Sequence, residues 1–332
     1  MFNIKNSRYR FSFLFLFIIS PFLFFVIFSC SKSEATAVIT PGETIIEVNP
    51  SLFIESSLIE PIVKVNKTLS NGTTAECYKI TMKNTPTDHT MGPWCPTNIS
   101  DGADKGGLWF EKGKIYDVDG AFVKNMATFY SDAKWKLYKD DGTINVTSTK
   151  EACMAAARPD VDPKYKNYCV ECLPTYFQGI KTSYYIPVKP IKLSSSSTFS
   201  MGMGAIVGLA FNGVGFDPPA PTQAILGAYT LAPLDDAGGH VNGVVGYHYH
   251  AATGKSKKVT QTDGHAAMIG YVIDGFGLYE LLDQNGKEPV GLDNCRGHYD
   301  TTRGYHYHVA SAGSNSFIPC FSGAKGTFEV TQ

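Results

Sequence analysis

Residues 234–250 read LDDAGGHVNGVVGYHYH, and residues 292–308 read LDNCRGHYDTTRGYHYH. Both stretches reduce to Leu-Asp-x3-Gly-His-x5-Gly-Tyr-His-Tyr-His, and the second copy begins 58 residues after the first. The chain contains eight histidines, and six of them lie in these two copies. Core packing gives no reason to hold three imidazoles in the same register twice, whereas metal coordination does. The doubled pattern therefore indicates histidine-based metal binding.

The Tyr-His-Tyr-His segment has a simple geometric meaning if it is extended. Successive side chains of a strand point to opposite faces, so the two histidines share one face and the two tyrosines share the other. The preceding Gly-His segment can fold back and supply a third imidazole. Three imidazoles with an open position form the ligand set of many catalytic zinc sites, and copper, nickel and iron accept the same set. We therefore expect zinc or copper to be bound by His240, His248, His250, His298, His306 and His308.

Acidic residues and one further histidine near the motif are candidates for orienting these imidazoles. Asp235 and Asp293 lie five residues before the first histidine of each copy, where each is either a fourth ligand or an acceptor that fixes a ring tautomer. His265 and Asp274 lie between the copies, and the aspartate either caps its Asp-Gly turn or orients a ligand. The alternative to a metal site is a duplicated β-hairpin whose histidines bond to backbone carbonyls.

The duplication also predicts how the two copies combine. Tandem hairpins often pack with approximate two-fold symmetry, and such packing would bring the two His-x-His arms close together. We therefore expect the six histidines to lie in one region that holds one or two divalent ions.

The first 29 residues have the features of a secretory signal. Three basic residues precede an apolar run from Phe11 to Phe28, and this segment contains no acidic residue. The run ends at Ser29-Cys30, which is similar to a bacterial lipobox, in which the cysteine becomes the lipidated first residue. The alternative is an uncleaved transmembrane anchor. We expect lipidation at Cys30, attachment to a membrane through that lipid, and a place in the bacterial cell envelope, at the outer membrane or the cell surface.

Composition sets the remaining limits. Without the three basic residues of the signal, the formal charge of the chain falls from −1 to −4, and no basic patch is present. Nucleic acid is therefore not an expected partner. Residues 30–60 are rich in Ser, Thr, Pro and Glu and are predicted to form a flexible tether. Residues 61–332 are predicted to form a single domain, with the motif-bearing part at about 200–325.

Seven cysteines remain after Cys30, and most should pair in an oxidising compartment. The pairings that the sequence order suggests are Cys77 with Cys95, Cys153 with Cys169 or Cys172, and Cys295 with Cys320, which leaves one cysteine over. The Cys169-Val-Glu-Cys172 spacing is also found in redox dithiols and zinc knuckles, but no second such pair accompanies it. Structural disulfides are the better interpretation.

Short apolar runs bounded by Asn-Gly, Asp-Gly and Pro predict a mainly β fold, a loop-rich β-sandwich-like domain with few short helices. The predicted strands include residues 77–82, 114–118, 134–138 and 182–186, and the predicted helices are 150–157 and 221–229. The Gly-rich segment 201–213 lacks the Gly-Lys-Ser/Thr of a phosphate loop and is expected to form buried strands. His89, the histidine remaining outside the motif and its linker, is expected in a surface loop.

The doubled Gly-Tyr-His-Tyr-His, the segment Leu234–His240 and the linking Ile-Gly-Tyr-Val-Ile-Asp-Gly-Phe at 269–276 resemble the YHYH protein family. The resemblance extends from the loop of His89 to about Cys320 and covers most of residues 75–325. It implies a secreted or surface-exposed protein. It implies no established activity.

Three kinds of function fit these features. The first is an extracytoplasmic lipoprotein that holds, buffers or delivers zinc or copper. The second is a hydrolase in which a metal ion held by three histidines activates water. The sequence offers no dedicated general base for this chemistry, because Tyr247, Tyr249, Tyr305 and Tyr307 face away from the histidines in an extended segment. The third is a structural surface module that metal ions staple together. Whether the protein is an enzyme is left open.

Overall fold

A computed structural model describes residues 44–158, 160–198 and 205–332. These residues belong to one compact unit, Glu34–Gln332. The predicted signal segment, Cys30 and the first part of the predicted tether lie outside the described residues, as do Met201–Gly204. Within the described ranges, no helix has the length and apolar character needed to cross a membrane.

The described chain is mainly β, as the sequence predicted. The strands are β1 Val63–Thr68, β2 Thr74–Met82, β3 Leu108–Glu111, β4 Lys114–Asp117, β5 Tyr168–Cys169, β6 Lys181–Pro187, β7 Lys192–Ser197, β8 Gly208–Ala210, β9 Gly215–Phe216, β10 Thr230–Leu231, β11 Gly239–Asn242, β12 Gly246–Tyr249, β13 Met268–Val272, β14 Gly277–Tyr279, β15 Gly297–Asp300, β16 Gly304–His308, β17 Phe321–Gly323 and β18 Thr327–Thr331. The α-helices are α1 Gly120–Phe129, α2 Lys150–Ala156 and α3 Thr222–Gly227. Short 3-10 helices lie at Pro50–Leu52, Glu55–Ser57, Ala103–Lys105, Pro163–Tyr165, Pro174–Phe177 and Ala312–Ser314.

The largest sheet has eight strands in the order β11-β12-β9-β8-β13-β14-β16-β15. The two histidine copies form hairpins, β11-β12 and β15-β16, which lie at opposite edges of this sheet. Each hairpin pairs in parallel with the second strand of another hairpin, β8-β9 or β13-β14. The Gly-rich segment 201–213 was predicted to form buried strands. Its described part contains β8, and all three residues of β8 are buried.

The sheet is a duplication related by a local two-fold axis. Residues 207–217, VGLAFNGVGFD, correspond to residues 269–279, IGYVIDGFGLY, at a constant offset. The central strands β8 and β13 pair antiparallel, with Leu209 opposite Tyr271, Gly208 opposite Val272 and Ala210 opposite Gly270. This register is symmetric about the Leu209–Tyr271 pair, so each half of the sheet repeats the other. The duplication is thus larger than the histidine motif.

A four-stranded sheet, in the order β1-β2-β6-β18, shares its core with the eight-stranded sheet. Ile80 and Met82 of β2 and Ile186 of β6 belong to the same buried cluster as Leu209 and Phe216. Alternation of buried and exposed positions is weak in the central strands because both faces are covered. The two sheets therefore form layers around one apolar core.

The segment between β2 and β6 builds a second, smaller core. Val123 and Met126 of α1 pack there with Trp135 and Leu137. The predicted strand at residues 134–138 is wrong, because only Tyr138 forms a bridge, with Ile144, while Trp135 and Leu137 are buried by helical neighbours. The predicted helices at 150–157 and 221–229 correspond to α2 and α3. Helix α1 was not predicted, although Asp119 caps its start by accepting a hydrogen bond from the Phe122 N–H.

Part of the predicted tether packs against the domain. Val48 and Phe53 are buried in the main core, and the Val48 N–H donates to the Val188 carbonyl. The Thr44 N–H donates to the hydroxyl of Tyr299 in the second histidine copy. Packing of the chain onto the domain therefore begins well before residue 61.

Three disulfides join the described residues. Cys295 bonds to Cys320, as the sequence predicted, and Cys153 bonds to Cys172, one of the two predicted alternatives. The predicted Cys77–Cys95 bond is wrong, because Cys95 bonds to Cys169 and Cys77 is a buried free thiol. Cys77 lies on β2 of the four-stranded sheet and packs with Leu69 and Tyr185, whereas Cys95 belongs to the smaller core. Tertiary placement, which sequence order does not reveal, decides this pairing.

Candidate metal centres

The first histidine copy brings three imidazoles to one point. In the β11-β12 hairpin His240 pairs directly with His248, and the alternation of β12 puts His250 on the same face. The Nε2 atom of His250 lies 3.1 Å from that of His248 and 3.1 Å from that of His240. The fold-back of the Gly-His segment thus supplies the third imidazole. We refer to these residues as the first cluster.

The second copy forms a cluster of four imidazoles. The Nε2 atom of His298 lies 3.0 Å from that of His306 and 3.2 Å from that of His308. The fourth member is His265, whose Nε2 lies 3.2 Å from that of His306. All four ligand atoms lie within 4.8 Å of one another. The sequence predicts that His265 orients a ligand imidazole. In the structure His265 instead belongs to the group of four histidines that could hold an ion. These four residues are the second cluster.

Hydrogen bonds of the Nδ1 atoms fix the tautomer of six of the seven cluster histidines, all except His240. His306 and His308 contact the carbonyl oxygens of Gly304 and Glu280 through Nδ1, at 3.0 and 2.9 Å. A carbonyl oxygen only accepts, so Nδ1 carries the proton and Nε2 of the neutral ring presents a lone pair. The same Nδ1-to-carbonyl bond occurs in His248 and His250 at 2.9 and 2.6 Å, and in His265 and His298 at 3.0 and 3.1 Å.

These backbone bonds leave several lone pairs facing one another. Neutral Nε2 atoms at about 3 Å from each other have no proton to share, so their close approach is unfavourable unless a cation lies between them. Four nitrogens at about 2.05 Å from a tetrahedral zinc ion lie about 3.3 Å apart. Three of the Nε2–Nε2 separations in the second cluster, at 3.0, 3.2 and 3.2 Å, are close to this value. From the sequence alone, histidines that bond to backbone carbonyls are an alternative to a metal site. In the structure these bonds are present, and they are compatible with a metal site because they turn Nε2 inward.

Burial favours the neutral form of four of the site histidines. Burial lowers the pKa of His248 to about 4 and that of His250 to about 3. Burial likewise lowers the pKa of His306 to about 4 and that of His308 to about 3. Neutral imidazole is the form that binds a metal ion.

The motif aspartates form hydrogen bonds with tyrosines and not with the histidines. Asp235 accepts a hydrogen bond from the Tyr247 hydroxyl at 2.7 Å, and its other oxygen accepts from the Gly239 N–H. Asp293 does the same with Tyr305, at 2.7 Å, and with the Gly297 N–H. The prediction that these carboxylates bind the ion or an imidazole is wrong, because their oxygens accept hydrogen bonds on the tyrosine face of the hairpin.

Close contact with a tyrosine explains why a glycine precedes the first histidine of each copy. A Cβ atom on Gly239 would lie 2.6 Å from the Tyr247 hydroxyl, and one on Gly297 would lie 2.0 Å from the Tyr305 hydroxyl. Any side chain there would push the tyrosine away from its aspartate. The Leu-Asp-x3-Gly-His pattern therefore encodes the aspartate–tyrosine contact that supports each hairpin.

Asp274 caps its turn and binds a tyrosine. It accepts hydrogen bonds from the Phe276 N–H and from the Tyr307 hydroxyl, the latter at 2.6 Å. Burial raises the pKa of Asp274 to about 6. Its counterpart in the other half is Asn212, whose amide donates to the Tyr249 hydroxyl at 2.8 Å. The predicted turn cap is therefore present, and the predicted role of orienting a ligand imidazole is replaced by a contact with Tyr307.

His89 lies outside both clusters but is no isolated surface residue. Its ring stacks on Tyr249, with ring centroids 6.1 Å apart, and its Nδ1 lies 2.8 Å from a carboxylate oxygen of Asp88. Its Nε2 lies 3.3 Å from the Tyr249 hydroxyl. His89 therefore closes the tyrosine face of the first hairpin, a role that sequence spacing alone does not indicate.

The first cluster opens into a cavity of about 340 Å³. All three of its histidines line the cavity, together with Asp217 and mostly apolar side chains such as Trp94 and Ile225. Asp217 is buried, and one of its oxygens lies 3.8 Å from Nε2 of His248. Burial raises the pKa of Asp217. Sequence reasoning missed this residue, although its place directly after the first copy of the repeated segment 207–216 is the signal that could have found it.

Charged side chains surround the second cluster. Asp300 lies 3.9 Å from Nε2 of His306, and it is engaged by Arg303, whose guanidinium bonds to Asp300 at 2.7 Å and to Asp263 at 2.8 Å. The ring of Tyr279, which occupies the position of Asp217 in the duplicated plan, packs against His306 with centroids 4.9 Å apart. An aromatic ring therefore stands at the second cluster where the first cluster has the carboxylate of Asp217.

The two clusters are separate centres. Five strand-to-strand steps lie between β12 and β16, which corresponds to about 24 Å along the sheet. The expectation that all six motif histidines share one region is wrong. The two-fold axis passes through the middle of the sheet, between β8 and β13, so it sends the histidine hairpins to opposite edges instead of bringing them together.

Comparisons with known proteins agree with the motif. Residues 183–289 match the model of the YHYH protein family. The matched segment contains the first cluster and His265 and ends before the second Tyr-His-Tyr-His, so it is shorter than the resemblance suggested by the sequence. Searches of curated proteins and of solved structures gave no significant match. The segment that carries the first Tyr-His-Tyr-His motif is therefore similar to the YHYH protein family.

Proposed function

We propose that the protein binds two divalent transition-metal ions, zinc or copper, one at each histidine cluster. The observation that carries the proposal is the convergence of Nε2 atoms in each cluster, which Nδ1-to-carbonyl bonds orient in all of these histidines except His240. Imidazole nitrogen is a preferred ligand of both metals. The duplicated fold thus supplies one centre per half.

The two centres differ in the role that we assign to them. Four imidazoles complete a tetrahedral zinc site, so the ion in the second cluster staples the fold. Three imidazoles leave a coordination position free, so the ion in the first cluster is open to exchange or to an external ligand. A holding, buffering or delivery function belongs to the first cluster.

The metal content of the purified domain tests the proposal. We expect two ions per molecule in the wild-type protein, measured by elemental analysis after exhaustive dialysis against metal-free buffer. His250→Ala and His308→Ala should each reduce this to about one ion. His89→Gln is the matched control, because His89 lies outside both clusters, and it should leave two ions. Equal metal content in all four proteins would refute the assignment of these ligands.

We further propose that the domain is displayed in the cell envelope as a lipoprotein anchored at Cys30. The support is the basic segment, the apolar run and the Ser29-Cys30 pair. The variant Cys30→Ala should leave the protein unprocessed or release it from membranes. Unchanged mass and membrane partition of that variant would contradict the anchor.

Metal-dependent hydrolysis is the second candidate function. It is favoured by the cavity over the first cluster and by buried Asp217, which lies 3.8 Å from a ligand nitrogen and outside the ligand group itself. A carboxylate beside a metal-bound water is suited to accept its proton. Zinc-loaded protein should hydrolyse an activated ester, and Asp217→Asn should lower kcat by at least about a hundredfold, the lower range for loss of a general base. Equal rates in the two proteins would remove this candidate.

A further inference from the structure

We propose that the cavity over the first cluster binds a small molecule with an apolar body and a head group that joins an oxygen Lewis base to an N–H donor. Hydroxamates, primary carboxamides and peptide bonds have this head group. The inference rests on the proposed metal site and adds the class of ligand that the site accepts.

The walls of the cavity select an apolar body. They are formed largely by Trp94, Val170, Pro219, Ile225 and Pro233. The volume of about 340 Å³ lies at the lower end of the range of small-molecule sites, 300–1,000 Å³. A flat ring or short branched chain fills such a space, whereas a folded protein segment does not.

The floor of the cavity selects the head group. The free coordination position of an ion held by His240, His248 and His250 accepts a Lewis base such as a carbonyl oxygen. Asp217 stands beside it, and its Oδ1 atom is buried without a hydrogen-bond partner in the described part of the chain. Leaving a buried acceptor unpaired costs free energy. A ligand N–H that donates to this oxygen therefore adds a hydrogen bond and also removes that cost. The two requirements together describe an oxygen with a neighbouring N–H.

The second cluster lacks both features. His265 occupies the position that is open in the first cluster, and Arg303 already binds the nearby carboxylate of Asp300. Tyr279 stands where the first half has Asp217. Ligand binding is therefore assigned to the first cluster alone.

Calorimetry with simple probes tests the inference on the zinc-loaded full-length chain. Benzohydroxamate carries the complete head group on an aromatic body, acetohydroxamate lacks the body, and benzoate lacks the N–H. We expect benzohydroxamate to bind at least about tenfold more tightly than acetohydroxamate, because the cavity walls remove the apolar ring from water. We expect it also to bind more tightly than benzoate.

Two variants locate the binding. Ala224→Trp places a large ring at an exposed position that lines the cavity, and it should weaken benzohydroxamate at least about tenfold. Ala121→Trp is the matched control, an exposed helix position away from the cavity, and it should leave the affinity unchanged. Asp217→Leu should weaken benzohydroxamate but not benzoate, because only the hydroxamate donates a hydrogen bond to the carboxylate.

The outcomes separate this inference from the proposed function. A protein that retains two zinc ions but binds acetohydroxamate and benzohydroxamate equally would overturn the ligand class and leave the metal sites standing. Equal benzohydroxamate affinity in the wild type and Ala224→Trp would likewise overturn it. A protein that retains no ion would refute the metal sites themselves, and the inference with them.

Discussion

The two halves of the eight-stranded sheet share one backbone plan and differ in what surrounds their histidines. In the first half three imidazoles face a cavity of about 340 Å³ beside a buried carboxylate. In the second half His265 adds a fourth imidazole, and Tyr279 and Arg303 fill the surroundings. Both hairpins are nevertheless held by the same aspartate–tyrosine contact at 2.7 Å.

This difference shows that the scaffold and the chemistry of the site are encoded separately. The repeated glycines, aspartates and tyrosines build two equivalent hairpins with inward-facing imidazoles. A few positions at which the two halves differ then decide whether a coordination position stays open or is filled. In the function that we propose, one half of the duplicated fold binds an ion for stability and the other half binds an ion that can exchange or take part in catalysis.

Acidification should have the largest effect, because it empties both centres. Burial lowers the folded-state pKa of His248 to about 4 and of His308 to about 3, whereas an unfolded histidine titrates near about 6.5. The unfolded chain therefore binds more protons in this interval, so stability is fully present above about pH 6.5 and is lost as the pH falls toward 4. Proton competition for the ligands acts in the same direction.

Thermal unfolding and metal content measured together from pH 7.5 to 4 would check this prediction. We expect the melting temperature to fall over the range in which the ions are released. A melting temperature and metal content that both stay constant down to pH 4.5 would contradict it.

Removing one ligand from each centre compares the two halves directly. His308→Ala should destabilise the fold more than His250→Ala, because the ion of a four-ligand site contributes its binding free energy to folding. At a free zinc concentration of one hundred times Kd that contribution is about 2.7 kcal/mol. Denaturant unfolding with and without a chelator measures it. If chelation destabilises both variants equally, the two centres do not differ in this way.

The disulfide beside the second cluster should matter to its metal as well as to stability. Replacing Cys295 and Cys320 with alanine should cost about 3 kcal/mol by the chain-entropy relation, because the bond closes a loop of 25 residues. It should also weaken the second centre, since Cys295 precedes His298 by three residues. The pair Cys153→Ala with Cys172→Ala, a loop of 19 residues, is the control. We expect a similar loss of stability there with metal content unchanged, and an equal loss of metal from both would count against a local effect.

His265→Ala should convert the second centre into a likeness of the first. Loss of the fourth imidazole should weaken zinc binding there by about tenfold to a hundredfold, corresponding to 1.4–2.8 kcal/mol. Free imidazole added at millimolar concentration should restore part of the affinity, because it can take the vacated position. Competition titration with a chromophoric chelator measures both effects. Unchanged affinity would mean that His265 does not bind the ion.

The smallest effect is expected on the tyrosine face. Tyr307→Phe removes a hydroxyl that donates to the Asp274 carboxylate, and Tyr249→Phe removes one that accepts from the Asn212 amide. Bonds to charged groups contribute about 1.5–3 kcal/mol and neutral ones about 0.5–1.5 kcal/mol, so Tyr307→Phe should cost more. Urea unfolding at neutral pH compares them. A larger loss in Tyr249→Phe would indicate that the His89 contact, and not the partner's charge, dominates.

Much of the local architecture could be predicted from the sequence. The spacing of the motif specified a hairpin with His240 opposite the His-x-His arm, and the alternation of Tyr-His-Tyr-His separated histidines from tyrosines. Turn residues predicted many short strands. Those inferences succeed because period-two alternation and glycine turns are local properties of the chain.

Pairings between distant segments could not be predicted. The partner of Cys95, the burial of Trp135 in the smaller core and the entry of His265 into the second cluster each depend on segments that meet only after folding. The carboxylates of Asp235 and Asp293 were placed with the wrong partners for the same reason. Sequence distance to the first histidine says nothing about which face of the hairpin a loop residue covers.

The sequence by itself therefore determined that the chain carries two equivalent histidine hairpins in a mainly β domain. Only the tertiary structure decided that they lie at opposite edges of one sheet, and that three imidazoles face a cavity at one edge while four imidazoles meet at the other. The physical reason is that the register of β8 with β13 sets the two-fold axis, and this pairing joins residues about 60 positions apart. Local patterns fix how each hairpin folds, whereas the contacts across that axis and around each edge fix what the hairpins can bind.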